Sequence, residues 1–272
     1  MDTTTLYDNN YKGSAANSGI SGFWLKIIAV VTMLIDHVAA SILARVLQSY
    51  NLGENWDTYY TIYRVMRNIG RMAFPIYIFL LIEGFTYTRS KTKYAVRMFI
   101  FAIISEMPFD MAFNNCFLEF YSNNVFVTLF LGLITIIILD ALRQQPKILD
   151  ASKSPIKWFI VKTVRCIGMA AIILGMMAVA EWLLKCDYGA AGIAAIVAMY
   201  LLKNFRMIGF VVCVGLLAML SSSTEWWALL MLIPLYFYNG TRGKQLKYFF
   251  YAFYPVHLFI IAFVGYYMGL GI

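Results

Sequence analysis

Residues 25–38 of the chain read LKIIAVVTMLIDHV, an apolar run that contains a lysine, an aspartate and a histidine. Lys26 and His37 are eleven positions apart, almost three turns of an α-helix, so their side chains share one helical face. The rise of 1.5 Å per residue separates them by roughly 16 Å along the axis, about half of a hydrocarbon core of roughly 30 Å. Asp36 points about 100° away from that face. Ionisable groups at such depth are costly, which makes them functional candidates.

The composition as a whole is that of an integral membrane protein. Of the 272 residues, 61% are hydrophobic and 13% are charged, and the mean hydropathy is +0.71, whereas soluble domains carry roughly 25% charged residues. The apolar runs are long and do not alternate with a period of two, which favours helices over a barrel. The net charge of +8 does not indicate nucleic-acid binding, because the lysines and arginines fall mainly in loops between apolar runs.

These runs predict an all-α, polytopic helical bundle with about nine transmembrane helices. A flexible cytoplasmic tail (residues 1–21) precedes a single transmembrane domain (residues 22–272). Basic loops alternate with loops that lack cations, and the positive-inside rule therefore places the N-terminus in the cytoplasm. Spans six to eight are short and are the least certain in number. The predicted spans are 23–48, 60–87, 94–113, 124–142, 157–184, 189–203, 205–220, 226–238 and 248–268.

Further charged residues fall inside the predicted spans. Arg64, Arg67 and Arg71 recur at i, i+3 and i+7 and form one stripe on the second span, with Arg71 near mid-depth. The stripe either pairs with carboxylates such as Glu106 and Asp110, which would orient the bundle, or places a functional cation at Arg71. Other candidates inside predicted spans are Glu83, Tyr254 and His257.

A histidine general base is the best catalytic chemistry that these residues offer. The sequence contains no serine elbow, zinc signature or glycine-rich phosphate loop, and its four cysteines lack metal spacing, so no metal is expected. Such a base would take a proton from an amine or hydroxyl that attacks an activated acyl donor. A donor with a long arm and an anionic head fits the spacing, with its thioester at His37 and its phosphates at the cytoplasmic surface. The basic residues at that surface are Lys26, Arg89, Lys91, Lys93 and Arg97.

Several segments resemble the TraX family of membrane proteins, and together they cover nearly the whole chain after the tail. The spacing of Lys26 and His37 is also similar to the Arg/Lys-x10-His pattern of the acyltransferase 3 family. In that family the histidine is implicated in transfer and the basic residue in the acyl-CoA site. The TraX-like segments are residues 25–28 with 35–37, 69–76 (IGRMAFPI), 83–85, 104–109 (ISEMPF), 126–129, 187–189 and 253–258 (FYPVHL).

The resemblance implies acetyl transfer, since the TraX family is associated with N-terminal acetylation of conjugative pilin. The expected protein is an acetyltransferase of the bacterial inner membrane that takes acetyl-CoA from the cytoplasm. Its acceptor, a peptide or glycan of unknown identity, would offer an amine or a hydroxyl in or across the membrane. His37 would act as general base or acyl carrier, and Lys26 with the basic loop would bind the donor. Arg71 would stabilise the oxyanion or bind the acceptor, and Glu106 or Glu83 would orient a partner.

A proton-coupled transporter or flippase is the alternative. It predicts solute movement that depends on a pH gradient and not on acetyl-CoA, and the lack of an evident internal repeat disfavours it. A purely structural scaffold for pilus assembly is a third hypothesis, disfavoured because a scaffold does not require histidines at mid-depth. The proton relay of a transporter would consist of His37, His257, Glu83, Glu106 and Arg71.

Overall fold

The computed structural model describes residues 19–144 and 154–271, and within these ranges every element is helical apart from isolated bridges. The first helix contains a π-helical turn, Ala39–Leu43, and the sixth continues into another, Val179–Leu183. The helices in chain order are α1 (Gly22–Ser49), α2 (Trp56–Gly70), α3 (Ala73–Tyr87), α4 (Lys91–Phe113), α5 (Val125–Gln144), α6 (Pro155–Ala178), α7 (Gly189–Leu201), α8 (Arg206–Leu220), α9 (Leu232–Tyr236) and α10 (Lys247–Tyr267).

Five helical segments in the described part of the chain are long and apolar enough to cross a membrane. The protein is therefore a helical membrane protein. Helices α7 and α8, with 13 and 15 residues, are shorter than the roughly 20 residues normally needed, so the count of nine spans stays a prediction. The five segments are Gly22–Ser49, Gly53–Tyr87, Val125–Gln144, Ile156–Leu183 and Tyr248–Tyr267.

The eighth predicted span, 226–238, is not one α-helix. A 3₁₀ segment, Ser223–Met231, leads into the five-residue α9. Pro234 gives a physical reason, because it has no N–H for the carbonyl one turn earlier and its ring clashes with that carbonyl. The second predicted span, 60–87, is broken as well, between α2 and α3 at Arg71 and Met72.

The predicted tail lies outside the described residues except for residues 19–21. Those three residues are held by the loop that precedes α10. Ile20 donates its N–H to the carbonyl of Phe237 (2.8 Å), and Gly22 donates to the carbonyl of Thr241 (2.8 Å). The start of α1 is therefore attached to the loop that leads into α10.

The helices pack around a core of aliphatic side chains. Helix α1 contacts α2, α3 and α10, and α4 contacts α5 and α10. Helix α7 lies against α5, α6 and α8, and most of its residues are buried, which explains an apolar sequence without an exposed polar face. Helix α6 lies at the edge of the bundle with most of its described side chains exposed and none of them fully buried, as expected of a helix that faces lipid.

Gly70 allows a close approach of α1 and α2. A Cβ atom at this position would overlap the Asp36 side chain. We expect Gly70→Ala to lower the free energy of unfolding by about 1–3 kcal/mol through overpacking, and further because Asp36 would be displaced from the arginines of α2. The measurement is unfolding of the purified protein in detergent.

Gly168→Ala, in α6, is the matched control for this variant. Apart from the surrounding backbone of α6, no atom of the described residues would lie within 4 Å of a Cβ atom at this position, so the substitution removes only the helix penalty of glycine. It should leave stability unchanged or raise it by about 1 kcal/mol. Equal stabilities of the two variants would show that the space at Gly70 is not needed.

Candidate functional site

A polar cavity of about 260 Å³ lies beside the middle of α1, at the break between α2 and α3. Helix α4, the start of α5 and the loop before α7 complete its wall. Both predicted catalytic residues of the first two spans, His37 and Arg71, line it. The other residues of the wall are Met33, Asp36, Ala40, Arg67, Gly70, Ala73, Phe74, Tyr77, Phe109, Phe113, Val125, Asp187 and Tyr188.

His37 and His257 form a hydrogen-bonded pair between α1 and α10. Nδ1 of His37 is 2.7 Å from Nε2 of His257, and Nδ1 of His257 is 2.7 Å from the carbonyl oxygen of Phe253. The ring of Tyr254 contacts both histidines edge-on, with centroids 5.8 and 5.6 Å away. Tyr254 thus packs against the pair through its ring.

Lys26 and His37 both face α10. The Lys26 ammonium lies 5.5 Å from the ring centroid of Phe250, and His37 meets His257 seven positions further along α10. This is the arrangement that their shared helical face predicts. Val30 and Met33, which lie between them on that face, are buried, and Met33 reaches the cavity.

Arg71 sits at the end of α2 between two carboxylates. Its Nη1 donates to Oε1 of Glu225 (2.9 Å), and its Nη2 lies 3.5 Å from Oδ1 of Asp36. Arg67 donates to the other oxygen of Asp36 at 2.7 Å. Asp36 thus bridges the two arginines, and the fully buried Glu225 fixes Arg71 from the other side.

Arg67 and Arg71 of the stripe do pair with carboxylates, but with Asp36 and Glu225 and not with the two acids named as examples, Glu106 and Asp110. Asp110 is satisfied near the end of its own helix by the Asn114 amide (3.0 Å) and the backbone N–H of Glu119 (2.9 Å). Glu106 accepts hydrogen bonds from Asn124, at the start of α5, and does not line the cavity. Both acids lie on α4, whereas the arginines meet the acids of α1 and of the 3₁₀ segment.

Asp187 and Tyr188 bring the loop before α7 to the cavity. The Asp187 carboxyl is accessible through the cavity although protein surrounds it, and burial raises its pKa to about 6. It is therefore ionised at pH 7. The Tyr188 ring stacks on Phe74 with centroids 3.6 Å apart, which holds the loop against α3.

Glu83 lies away from the cavity, near the end of α3. It accepts a hydrogen bond from the hydroxyl of Tyr238 (3.0 Å). It therefore orients neither histidine, and this hydrogen bond joins α3 to the segment that follows α9.

The predicted donor-binding residues differ in their surroundings. Lys91 forms an ion pair with Asp140 of α5, so its charge is already used within the fold. Arg89 and Lys93 are exposed. Arg97 is half-buried, and its Nε has no hydrogen-bond partner within the described ranges.

Arg242 joins this basic end of the bundle, although it was not among the predicted site residues. It donates to the carbonyl of Tyr87 (3.1 Å) at the end of α3 and lies close enough to repel the Lys26 ammonium. Lys26 packs on Phe250, and Arg97 lies 5.8 Å from the ring of Tyr94. Cations from α1, α4 and the loop before α10 thus gather around aromatic side chains.

Most of the sequence also matches a known protein family. The profile of the family described as TraX protein matches residues 21–265. The chain belongs to the TraX family. This TraX chain is also 26% identical over 263 residues to the "Probable fimbrial assembly protein FimC, serogroup H1" of Dichelobacter nodosus, an alignment that covers 90% of this chain and 96% of the relative. No solved structure matches it.

Sequence reasoning missed two acids of this TraX site. Glu225 precedes two tryptophans at the edge of an apolar run and was assigned to a loop, yet it is fully buried against Arg71. Asp187 lies in one of the TraX-like segments, residues 187–189, and that similarity was the available signal for it. The cavity also recruits Arg67, which the stripe on the second span had marked.

Proposed function

We propose that the protein is a membrane-embedded acetyltransferase that uses cytoplasmic acetyl-CoA. The observation that carries the proposal is the placement of Lys26 and His37, which both face α10, with His37 lining a polar cavity. Membership of a family associated with pilin acetylation supports it, as does similarity to a protein described as a fimbrial assembly protein. The proposed location is the bacterial inner membrane with the N-terminus in the cytoplasm.

The reaction joins the acyl carbon of acetyl-CoA to the nitrogen or oxygen of the acceptor and breaks the C–S bond. His37 takes the proton that the acceptor loses during attack and then passes it to the departing CoA sulfur. The products are the acetylated acceptor and CoA with a free thiol. The same imidazole serves as base and then as acid, so the site regenerates itself.

Arg71 is suited to stabilise the oxyanion that develops on the thioester carbonyl. Glu225 and Asp36 fix its guanidinium before any substrate arrives, and such preorganised charge costs no rearrangement during the reaction. A guanidinium has five N–H donors, and these two contacts, with a longer one from Nε to the carbonyl of Arg67 (3.5 Å), leave donors for a ligand. The side chain is 14% exposed.

The charges around the cavity favour an acceptor with an amine. Two positive charges, on Arg67 and Arg71, lie near three carboxylates. These belong to Asp36, Glu225 and Asp187 and leave an excess of one negative charge. Among the residues that the structure describes, none forms a hydrogen bond or ion pair with the Asp187 carboxylate, so it is available to receive an ammonium group. The N-terminus of a pilus subunit is the acceptor that the family and the fimbrial relative favour.

The donor arm would run from the basic end of the bundle to His37. Lys26, with Arg97 and Arg242, would bind the phosphates of CoA, because cationic side chains form strong hydrogen bonds with phosphate oxygens. Lys91 is not assigned to the donor site, because it forms an ion pair with Asp140. Val30 and Met33 fill the space between Lys26 and His37, so their side chains would move aside when the arm enters.

Binding of acetyl-CoA to the purified protein tests the proposal. A ligand present at 100 times its Kd stabilises the folded state by about 2.7 kcal/mol, which appears as a rise in the melting temperature. We expect Lys26→Ala to remove most of this rise. Lys162→Ala is the matched control, because that lysine lies on the peripheral α6 and packs on Trp158. It should respond to acetyl-CoA as the wild-type protein does.

A folded protein that shows no stabilisation at saturating acetyl-CoA would contradict the proposal. The transporter hypothesis would then be tested by solute flux in liposomes under a pH gradient. Stabilisation that Lys26→Ala and Lys162→Ala leave equally intact would contradict the assigned donor site, because the bound phosphates would not depend on Lys26.

A further inference from the structure

We propose that His257 is a positioning residue that holds His37 in the tautomer with a proton on Nδ1 and a free lone pair on Nε2. The proposal rests on the proposed function for its catalytic meaning, but the tautomer is a property of the protein without substrate. It follows from two contacts, both 2.7 Å long, that link His37 through His257 to the backbone of α10.

The chain of contacts fixes each proton in turn. A carbonyl oxygen can only accept, so Nδ1 of His257 carries the proton that is donated to the carbonyl of Phe253. In a neutral His257, Nε2 is then an acceptor, and Nδ1 of His37 must donate to it. Nε2 of His37 is left without a proton. It also has no hydrogen-bond partner among the residues that the structure describes.

This series of contacts begins at a backbone carbonyl within α10. Phe253 is four residues before His257 on α10, and Pro255 lies between them. A backbone carbonyl cannot change its role from acceptor to donor. It therefore sets the tautomers of both rings more firmly than a hydroxyl or an amide side chain would.

Packing holds the two rings in the same plane. The ring planes differ by 6°, and the centroids are 5.0 Å apart, the separation expected when two imidazoles meet edge to edge across a 2.7 Å contact. Phe253 stacks on His257 with centroids 4.7 Å apart, and Phe113 meets His37 edge-on at 5.3 Å. Neither imidazole can turn without disturbing an aromatic neighbour.

His257 acts through His37 and not on the substrate. It is 5% exposed and does not line the cavity, whereas His37 does. When His37 takes a proton on Nε2, its Nδ1–H becomes a stronger donor to His257, so the positive charge is shared across the contact. The proton later leaves Nε2 for the CoA sulfur, and both rings return to their starting state. A neutral partner thus orients the base without placing another carboxylate at this depth.

The test is nuclear magnetic resonance of the protein labelled with ¹⁵N only in histidine. The sequence contains two histidines, so a preparation without a histidine tag gives two rings. We expect the wild-type His37 ring to show a protonated Nδ1 and an unprotonated Nε2, the less common tautomer of free histidine. His257→Leu, which removes the acceptor, should shift His37 toward the Nε2-protonated form. His257→Gln, which retains an acceptor oxygen, should restore the wild-type tautomer at least in part.

Kinetics provide the second measurement, with acetyl-CoA and a synthetic peptide that has a free N-terminus. Loss of a partner that orients a metal-bound histidine costs about 10–100-fold in affinity or activity. We expect a loss of the same order here, so His257→Leu should lower kcat by that factor and leave the KM for acetyl-CoA unchanged. His257→Gln should recover part of the loss. A role of His257 in packing alone would lower the amount of folded protein without changing the His37 tautomer.

An unprotonated Nδ1 on His37 in the wild-type protein would overturn the proposal, whatever the variants do. An unchanged tautomer and an unchanged kcat in folded His257→Leu would overturn it as well. The expected tautomer in a protein that neither binds nor uses acetyl-CoA would uphold the positioning role and refute the proposed function. The two failures are therefore distinguishable.

Discussion

Replacement of His37 by glutamine lowers the rate of acetyl transfer by about 10²–10⁴-fold, the range expected for loss of a general acid–base group. Glutamine is chosen because its amide can still donate to Nε2 of His257, so the contact between α1 and α10 is retained. It cannot take up a proton at neutral pH. The measurement is release of CoA thiol from acetyl-CoA in the presence of a synthetic peptide with a free N-terminus.

Binding of acetyl-CoA provides the control for His37→Gln. The phosphates would be bound roughly 16 Å away near Lys26, so the rise in melting temperature with acetyl-CoA should match that of the wild-type protein. A variant that binds acetyl-CoA and keeps more than half of the wild-type rate would show that His37 is not the base. The proposed mechanism would then have to be abandoned.

Replacement of Arg71 by methionine lowers the free energy of unfolding by about 3–5 kcal/mol, because it leaves a buried carboxylate without its counter-charge. Glu225 is fully buried, so water cannot replace the lost charge, whereas Asp36 keeps its ion pair with Arg67. Methionine fills a similar volume without a charge. Unfolding in detergent, followed by circular dichroism, gives the measurement.

Two further variants separate this effect from packing. Removing both charges with Arg71→Met and Glu225→Gln should cost less than Arg71→Met alone, since no unpaired charge remains at Glu225. Arg64 lies on the same helical stripe but is exposed. Arg64→Met should therefore change the free energy of unfolding by no more than about 1 kcal/mol. Simple additivity of the two substitutions would mean that Arg71 and Glu225 do not depend on each other.

The parts of the fold that could be predicted are those set by local pattern. Helix α5 was expected at residues 124–142 and spans Val125–Gln144, because a long apolar run between polar loops has few alternatives. The shared face of Lys26 and His37 follows from helical periodicity alone. Pro75 predicts a kink in the second span, and the break between α2 and α3 lies one turn before it, at Arg71 and Met72.

The pairing of residues in the candidate site could not be predicted from helical periodicity. Asp36 lies one residue from His37 and points elsewhere, yet the cavity is wide enough to include both side chains. Whether Arg71 would meet Glu106 or Glu225 depends on which helices become neighbours, and that is decided by packing over the whole bundle. Depth and charge were sufficient to select His37, His257 and Arg71 as candidates, but they could not pair them.

The contact between His37 and His257 joins positions 220 residues apart in the chain. Proteins are synthesised from the N-terminus, so α1 enters the membrane long before α10 leaves the ribosome. A nascent chain would already hold Lys26 and His37 on one helix, but its imidazole would have no partner to hold its orientation. The proposed catalytic site is therefore completed only when α10, the last helix of the described chain, is inserted. A partly synthesised copy would therefore transfer acetyl groups more slowly than the finished protein.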